Sequence, residues 1–347
     1  PEIITIDLKS AHKKKQMKGG FSKMMIEEME ETLNMDRQII LFQNQRGYSP
    51  IIECLDCGHM PHCHQCDVTL TYHQYSDQLK CHYCGYHIPV PQKCHACGMT
   101  NLSSKGIGTQ QIQEQVTTLF PEVKVARMDW DSTRGKWAFD KLINSFAKQE
   151  VKILVGTQMI IKGLDFQNVH LVGVLNADHL MNFPDFRAHE RTYQMLSQVA
   201  GRAGRKVLRG KVLIQTYQPH HPVIQNVING NYDQMLNQEL KDRKKYYYPP
   251  YIRLIRIVVN HSDMEILKKA SHWIVNVLFQ SEYGQILGPV FPPVARIRNR
   301  YRMHILVKIS ANNYRDRVKQ IIKKTLGHFE SIPIFRSCKV NVDVDPY

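Results

Sequence analysis

The sequence predicts an α/β chain built on a parallel sheet with helices on both faces, interrupted by a metal-binding insertion and followed by a smaller α+β domain. Three observations predict it. Short aliphatic runs such as Ile153-Leu154-Val155 alternate with amphipathic stretches of helical period, as strands buried on both faces require. Eight of the nine cysteines fall between residues 54 and 97, in four Cys-x-x-Cys pairs. Beyond Pro249-Pro250 the pattern runs strand, helix, two strands, helix, strand, the order of a split βαβ fold.

In chain order, Ile3 to Leu8 reads as a strand, and a basic connector from Lys13 to Gly20 leads into a helix, Ser22 to Asn34. Its Met25, Ile26, Met29 and Leu33 share one face, because residues three and four apart are neighbours on a helix. Arg37 to Phe42 is a buried strand, and Ile51 and Ile52 begin a short second one. After the insertion, Thr109 is the expected N-cap of a helix, Gln110 to Phe120, which Pro121 stops. A strand (Val123 to Met128), a helix (Lys136 to Lys148) and strands at Ile153 to Val155 and Leu171 to Leu175 follow. A helix from Arg187 to Ser197 and a strand from Val212 to Thr216 continue the alternation. Pro219 to Tyr248 reads as helical and ends basic and aromatic. The remainder is expected as strand Leu254 to Asn260, helix Met264 to Phe279, two strands within Arg296 to Ser310, helix Tyr314 to Phe329 and strand Cys338 to Val344. The expected division is residues 1–53 and 98–248 for the sheet domain, 54–97 for the insertion and 249–347 for the C-terminal domain.

Charge narrows the partners. There are 46 Lys+Arg against 31 Asp+Glu, a formal net charge of +15. That excess favours a polyanion, nucleic acid ahead of an anionic membrane. No apolar run is long enough to span a bilayer and the N-terminus lacks the pattern of a secretion signal, so a cytoplasmic protein with no membrane partner is expected. In that setting cysteine pairs point to metal before disulfides.

The pairs are Cys54/Cys57, Cys63/Cys66, Cys81/Cys84 and Cys94/Cys97. Two intervening residues let both sulfurs reach one tetrahedral ion, and eight thiolates suit two four-cysteine sites, hence two Zn²⁺ per chain, with iron–sulfur or redox use as rivals. Gly58, Gly85 and Gly98 follow three of the pairs directly, where a turn can aim backbone N–H groups at the sulfurs. A hairpin within Val68 to Leu79 would bring Cys63/Cys66 to Cys81/Cys84, leaving Cys54/Cys57 and Cys94/Cys97 to share the other ion at the base of the insertion. Other pairings stay open, as do His59, His62, His64, His82 and His95 as substitute ligands. Cys338 stands alone in a strand pattern and is expected in a core.

Two further stretches carry phosphate chemistry. Gln198-Val199-Ala200-Gly201-Arg202-Ala203-Gly204-Arg205 closes a helix; its two arginines lie three apart, on one helical face, and its glycines allow close approach. Guanidinium forks fit phosphate oxygens bidentately. Gly156-Thr157-Gln158 and Lys162-Gly163 follow a strand end, where open α/β sheets bind ligands, and offer N–H, hydroxyl and ammonium groups. In the C-terminal domain, Arg296, Arg298, Arg300 and Arg302 recur at period two. That spacing is expected to put them on one strand face for DNA phosphates, with a charged edge strand as the alternative.

The wording of these stretches resembles superfamily-two helicases. Residues 198–205 resemble motif VI, Gly156 to Phe166 motif V and Asn44 to Tyr48 the motif IV region. The resemblance implies a RecA-like second helicase lobe. It casts Arg202 and Arg205 as catalytic arginines reaching across a cleft to ATP and Mg²⁺ on a first lobe, with Gln198 as a cleft contact. Gly156, Thr157, Gln158, Lys162, Gly163 and Asp165 become nucleotide-side residues. Four Cys-x-x-Cys pairs interrupting such a lobe form an unusual combination. With Asn44 to Tyr48, Val155 to Met159, Asp185-Phe186-Arg187 and Val342 to Pro346, it is similar to the bacterial primosomal N-prime family of replication-restart helicases. That family implies 3′-to-5′ unwinding at stalled or abandoned forks, two zincs in the nested pairing and a C-terminal domain that binds DNA. It implies as partners forked and single-stranded DNA, single-strand-binding protein and the primosome proteins that load the replicative helicase. No G-x-x-x-x-G-K-[ST] loop occurs, so the chain is expected to be the C-terminal part of such an enzyme and inactive alone. The competing classes are a non-catalytic zinc-dependent DNA-binding or adaptor module, and a thiol oxidoreductase, which would need a free low-pKa thiol near a helix start.

Overall fold

The computed structural model describes the chain except for residues 44–50, 55, 58, 67, 74–76, 82–83, 106–107, 130–131, 134–136, 161–165, 183–184, 205–208, 280–284, 311–314 and 347. Two compact units result, residues 1–49 with 106–239, and residues 50–105 with 240–347. The first opens with β1 (Glu2–Asp7), α1 (Leu8–Lys13), the short strands β2 (Met17–Lys18) and β3 (Phe21–Ser22), α2 (Lys23–Asn34) and β4 (Gln38–Phe42). The insertion supplies β5 (Ile51–Cys54), β6 (Thr71–His73), β7 (Gln78–Lys80), β8 (His87–Pro89) and β9 (Leu102–Lys105). The first unit resumes with α3 (Thr109–Leu119), β10 (Val125–Met128), α4 (Ala138–Ala147), β11 (Ile153–Gly156), β12 (Val169–Val174) and α5 (Asp178–Met181). It ends with α6 (Ala188–Ala200), β13 (Lys211–Thr216), α7 (Pro222–Asn229) and most of α8 (Tyr232–Lys245). The C-terminal domain is β14 (Ile252–His261), α9 (Met264–Phe279), β15 (Gln285–Val290), β16 (Arg296–Ile297), β17 (Arg300–Ser310), α10 (Arg315–Ser331) and β18 (Lys339–Val344).

Six strands in the order β1-β13-β12-β4-β11-β10 form the sheet of the first unit, every pair parallel. Its strands show why their sequences do not alternate polar with apolar. Ile40, Phe42, Leu154, Val172 and Ile214 bury on one side with Leu196 and Val199 of α6. Ile39, Leu41, Ile153, Val155 and Leu171 bury on the other, against Met25 and Met29 of α2 and Ile112 and Val116 of α3. Both faces are covered, so both parities must be apolar.

Several local expectations change. Thr109 is not the cap of α3; Gly108 holds that position, and the Thr109 hydroxyl donates to Asp129 Oδ2 at 2.6 Å. The expected helix over Pro219 to Tyr248 is two helices, because the chain turns through left-handed backbone at Gly230 (φ 64°). The short α1 and α5 went unread. β5 pairs antiparallel with β9 in a neck, Ile51 opposite Lys105 through Cys54 opposite Leu102. The insertion therefore takes in 50–105, more than the expected 54–97, and groups with the C-terminal domain in one unit.

The C-terminal sheet is antiparallel, in the order β15-β17-β14-β18, with β16 paired to β17. This is the split βαβ arrangement. Ile255, Ile257 and Val259 of β14 and Met303, Ile305 and Val307 of β17 line the one face that α9 and α10 cover. Cys338 packs against this core, as expected. The strand β15 was missed because Gly288-Pro289 reads as a breaker; an edge strand tolerates proline, and β15 is at the edge. The expected pair of strands within 296–310 is one long strand with a two-residue arm.

Candidate metal centres and phosphate-facing motifs

The eight paired cysteines form two clusters, Cys54, Cys57, Cys94 and Cys97 in the neck, and Cys63, Cys66, Cys81 and Cys84 beyond it. Within each cluster all four sulfurs lie within 4.8 Å of one another. The pairing is the nested one. β6 and β7 make the hairpin that carries Cys81/Cys84 to Cys63/Cys66, and the β5–β9 neck keeps the outer pairs together. Sulfur–sulfur distances are 3.6 Å for Cys54–Cys97 and Cys57–Cys94, and 3.5 Å for Cys63–Cys84. Four sulfurs around one zinc at the usual bond length stand about 3.8 Å apart, whereas a disulfide needs about 2.05 Å. Among the described residues, no histidine of the insertion belongs to either cluster; His64, for one, packs edge-on to Tyr86 at 5.2 Å, and His82 lies outside the described residues.

Turns supply the rest of each site. The Gln65, Tyr86 and Ala96 N–H groups donate to Cys63, Cys84 and Cys94 sulfurs, each at 3.4 Å. Gly85 (φ 80°) and Gly98 (φ 76°) take the left-handed backbone that closes two of these turns. Burial pushes the Cys63 thiol up to about 12, while the Cys97 and Ala96 N–H groups hold Cys94 down at about 7. Thiols held this close cannot all ionise without a cation among them, so the donor set fits a dication. Its role would be structural, since four protein ligands leave no open position.

The two motifs expected to meet phosphate lie at two ends of one sheet. Gly156 ends β11, in register with Phe42 and Met128. A Cβ there would run into the Met128 carbonyl and the Ile160 side chain, so packing alone demands glycine. The Thr157 N–H donates to Met128 O at 3.3 Å, and Gln158 begins a 3₁₀ turn. Lys162, Gly163 and Asp165 lie outside the described residues, as do Asn44 to Tyr48 and Arg205. α6 carries Gln198, exposed, near its end and stops at Gly201. Gly204 (φ 66°) then donates its N–H to Val169 O at 3.0 Å. Val169 is the first residue of β12, so the Arg202 turn sits by the amino ends of the strands and Gly156 by the carboxyl ends. α6 links them, with Gln158 Nε2 4.0 Å from Met195 Sδ, two helical turns before Arg202.

The four C-terminal arginines do not share a strand face. Arg298 (φ 51°) and Asn299 (φ 58°) form the left-handed tip of the β16–β17 hairpin, so the chain reverses in the middle of the expected strand. The Arg296 guanidinium lies over the Tyr301 ring at 5.7 Å, Arg300 Nη2 donates to Ser337 O at 3.1 Å, and Arg302 Nη2 to Val294 O at 2.8 Å. Sequence reasoning missed what the tip touches. The Arg298 N–H donates to Cys66 Sγ at 3.3 Å and the Asn299 N–H to Gln65 O at 2.8 Å. The available signal was Asn299, a residue that tolerates left-handed backbone, between Ile297 and Tyr301. The acids of Val342 to Asp345 are structural too, Asp343 pairing with Arg256 and Asp345 with Arg253, both at 2.6 Å.

Comparison with known proteins follows this architecture piece by piece. Residues 102–207 match the helicase conserved C-terminal domain, 63–89 the Cys-rich region of PriA DNA helicase, and 244–347 the primosomal protein N C-terminal domain. Replication restart protein PriA of Bacillus subtilis is 39% identical over 354 residues, covering 100% of this chain and 43% of that protein. The chain belongs to the PriA family. PriA of Synechocystis is 38% identical (100% of this chain, 41% of the relative) and that of Haemophilus influenzae 34% (99% and 46%). The chain thus spans less than half the length of these PriA relatives. The PriA Cys-rich match contains the inner cluster only; the outer one stands on its geometry. Among the described residues, no helix is long and apolar enough to cross a membrane.

Proposed function

We propose that this chain forms the second motor lobe, zinc module and C-terminal domain of an ATP-dependent 3′-to-5′ DNA helicase that restarts replication at stalled or abandoned forks. The observation that carries it is the combination of a parallel helicase lobe with two nested four-cysteine clusters between β4 and α3. In this reading Arg202 and Arg205 meet the phosphates of ATP and Mg²⁺ held on another lobe. Gly156, Thr157, Gln158, Lys162, Gly163 and Asp165 relay between nucleotide and DNA. Forked and single-stranded DNA, single-strand-binding protein and helicase-loading proteins are its partners, and the basic C-terminal domain meets the DNA backbone.

The test uses the full-length protein. Arg205→Ala, and separately Arg202→Ala, should lower DNA-stimulated ATP turnover on the order of 10³-fold, as removal of an arginine finger does. Fork binding should stay within about twofold. Unchanged turnover in both variants would remove these residues from the chemistry. Zinc-dependent fork binding with no ATP hydrolysis by the parent would favour the adaptor reading.

A further inference from the structure

The hairpin tip built from β16 and β17 reaches the inner zinc-type cluster, and two of its contacts are backbone hydrogen bonds. The Arg298 N–H donates to Cys66 Sγ at 3.3 Å, and the Asn299 N–H to Gln65 O at 2.8 Å. Gln65 itself donates its N–H to Cys63 Sγ at 3.4 Å, so the second contact holds a residue that already supports a ligand. Ile297 adds the apolar part, packing against the cluster of Ile52, Cys63, Cys66, Leu70, Leu79 and Cys81. Both tip residues hold positive φ, 51° and 58°, the geometry of a two-residue turn that projects consecutive N–H groups forward. Cys66 is 0% exposed and Cys63 4%. Cys57 and Cys97 of the outer cluster are exposed.

We infer that residues 297–299 of the C-terminal domain are a built part of the inner metal site, a cap whose backbone donors and one isoleucine hold Cys66 and Gln65 in place and shield the metal. Groups behind the ligands typically change metal affinity 10- to 100-fold when removed. Metal loading of the inner site and docking of the C-terminal hairpin are therefore coupled, and the coupling acts in both directions. Arg298 acts here as a positioning residue through its N–H, whatever its side chain meets.

The experiment uses the zinc-loaded full chain. A chelator and a thiol-alkylating reagent are added together, and peptide mass spectrometry follows each cysteine over time. Arg298→Pro removes the donor and forbids positive φ. It should speed alkylation of Cys63, Cys66, Cys81 and Cys84 about 10-fold or more, and leave Cys54, Cys57, Cys94 and Cys97 at the parent rate. Arg298→Gly with Asn299→Gly keeps the turn and both N–H groups and should behave as the parent. Ile297→Ser, which keeps the turn, should give an intermediate acceleration confined to the same four. It decides the matter if hydrogen exchange shows that the proline variant loosens β14 and β17. In the reverse direction, metal removal should speed exchange of the Arg298 and Asn299 amides. Unchanged inner-site rates in Arg298→Pro and Ile297→Ser overturn the inference. So does equal acceleration of all eight cysteines in Ile297→Ser, or loss of protection in the glycine pair.

Discussion

In the parallel sheet of the first unit, Ile39 to Phe42 are each at most 1% exposed and apolar layers close over both sides. In the zinc module the strands β6, β7 and β8 are three residues each, and among the described residues the buried aliphatic side chains are Ile52, Leu70 and Leu79. Burial at roughly 25 cal/mol per Å² can hold the first, but an insertion this thin in apolar residues must take its stability from elsewhere. Four thiols per site, with backbone donors behind them, are that source. One chain thus contains a region organised by water exclusion and a region organised by a cation, and perturbations should separate them.

The largest effect is expected from metal removal. Zinc binding by structural sites is worth on the order of 10–16 kcal/mol in small fingers. Chelation should therefore abolish amide protection in β6, β7 and β8 while β4, β11 and β12 keep theirs by hydrogen exchange. Elemental analysis should return two zincs per chain. Simultaneous loss of protection in both regions, or a single metal, would break the comparison.

Next comes Ile40→Ala, at a site 1% exposed in the middle of the sheet. Urea unfolding should lose about 2–5 kcal/mol from the first unit, with zinc content unchanged. A drop in zinc content would show that the two regions do not stand apart.

The smallest effect concerns Lys211, whose ammonium lies 2.8 Å from Glu28 Oε2 and 3.3 Å from Glu31 Oε2 at the rim of the sheet. The hydrogen bond to Glu28 raises the Lys211 pKa. A raised lysine contributes stability that is fully present below its unfolded value of about 10.4, and that is lost as pH rises through the higher folded value. Lys211→Met should cost about 0–1 kcal/mol at pH 8, a difference that shrinks above pH 11. A difference that grows with alkalinity would contradict the assignment.

Much of this was legible because local chemistry decides it. The Cys-x-x-Cys spacing and the trailing Gly85 and Gly98 depend on a handful of adjacent residues, and the structure forms both clusters as expected. The uninterrupted apolar runs at Ile39 to Phe42 and Ile153 to Val155 announce burial on both faces. The misreadings share a cause. Gly288-Pro289 breaks a strand by propensity, yet an edge partner in β17 makes it one. Arg296 to Arg302 alternate as a strand would, yet Arg298 and Asn299 take positive φ, which no period of charge reveals. Lys308, a charge within β17, likewise depends on distant chain. It is 8% exposed, donates to Tyr246 O at 2.8 Å and lies 4.1 Å over the Tyr248 ring, partners some sixty residues away.

By itself the sequence determined the six strands of the parallel lobe, the grouping of eight cysteines into four Cys-x-x-Cys pairs and the helix end that Arg202 follows. Each depends on periodicity, spacing or neighbours within a few turns of chain. Only the tertiary structure decided that the Gly156 loop and the Arg202 turn lie at opposite ends of the strands, and that the insertion joins the C-terminal domain in one unit. It alone brought a hairpin tip 232 residues away to the sulfur of Cys66. Those outcomes depend on which surfaces meet after folding, and hydrogen bonds made through backbone N–H groups leave no mark in side-chain identity.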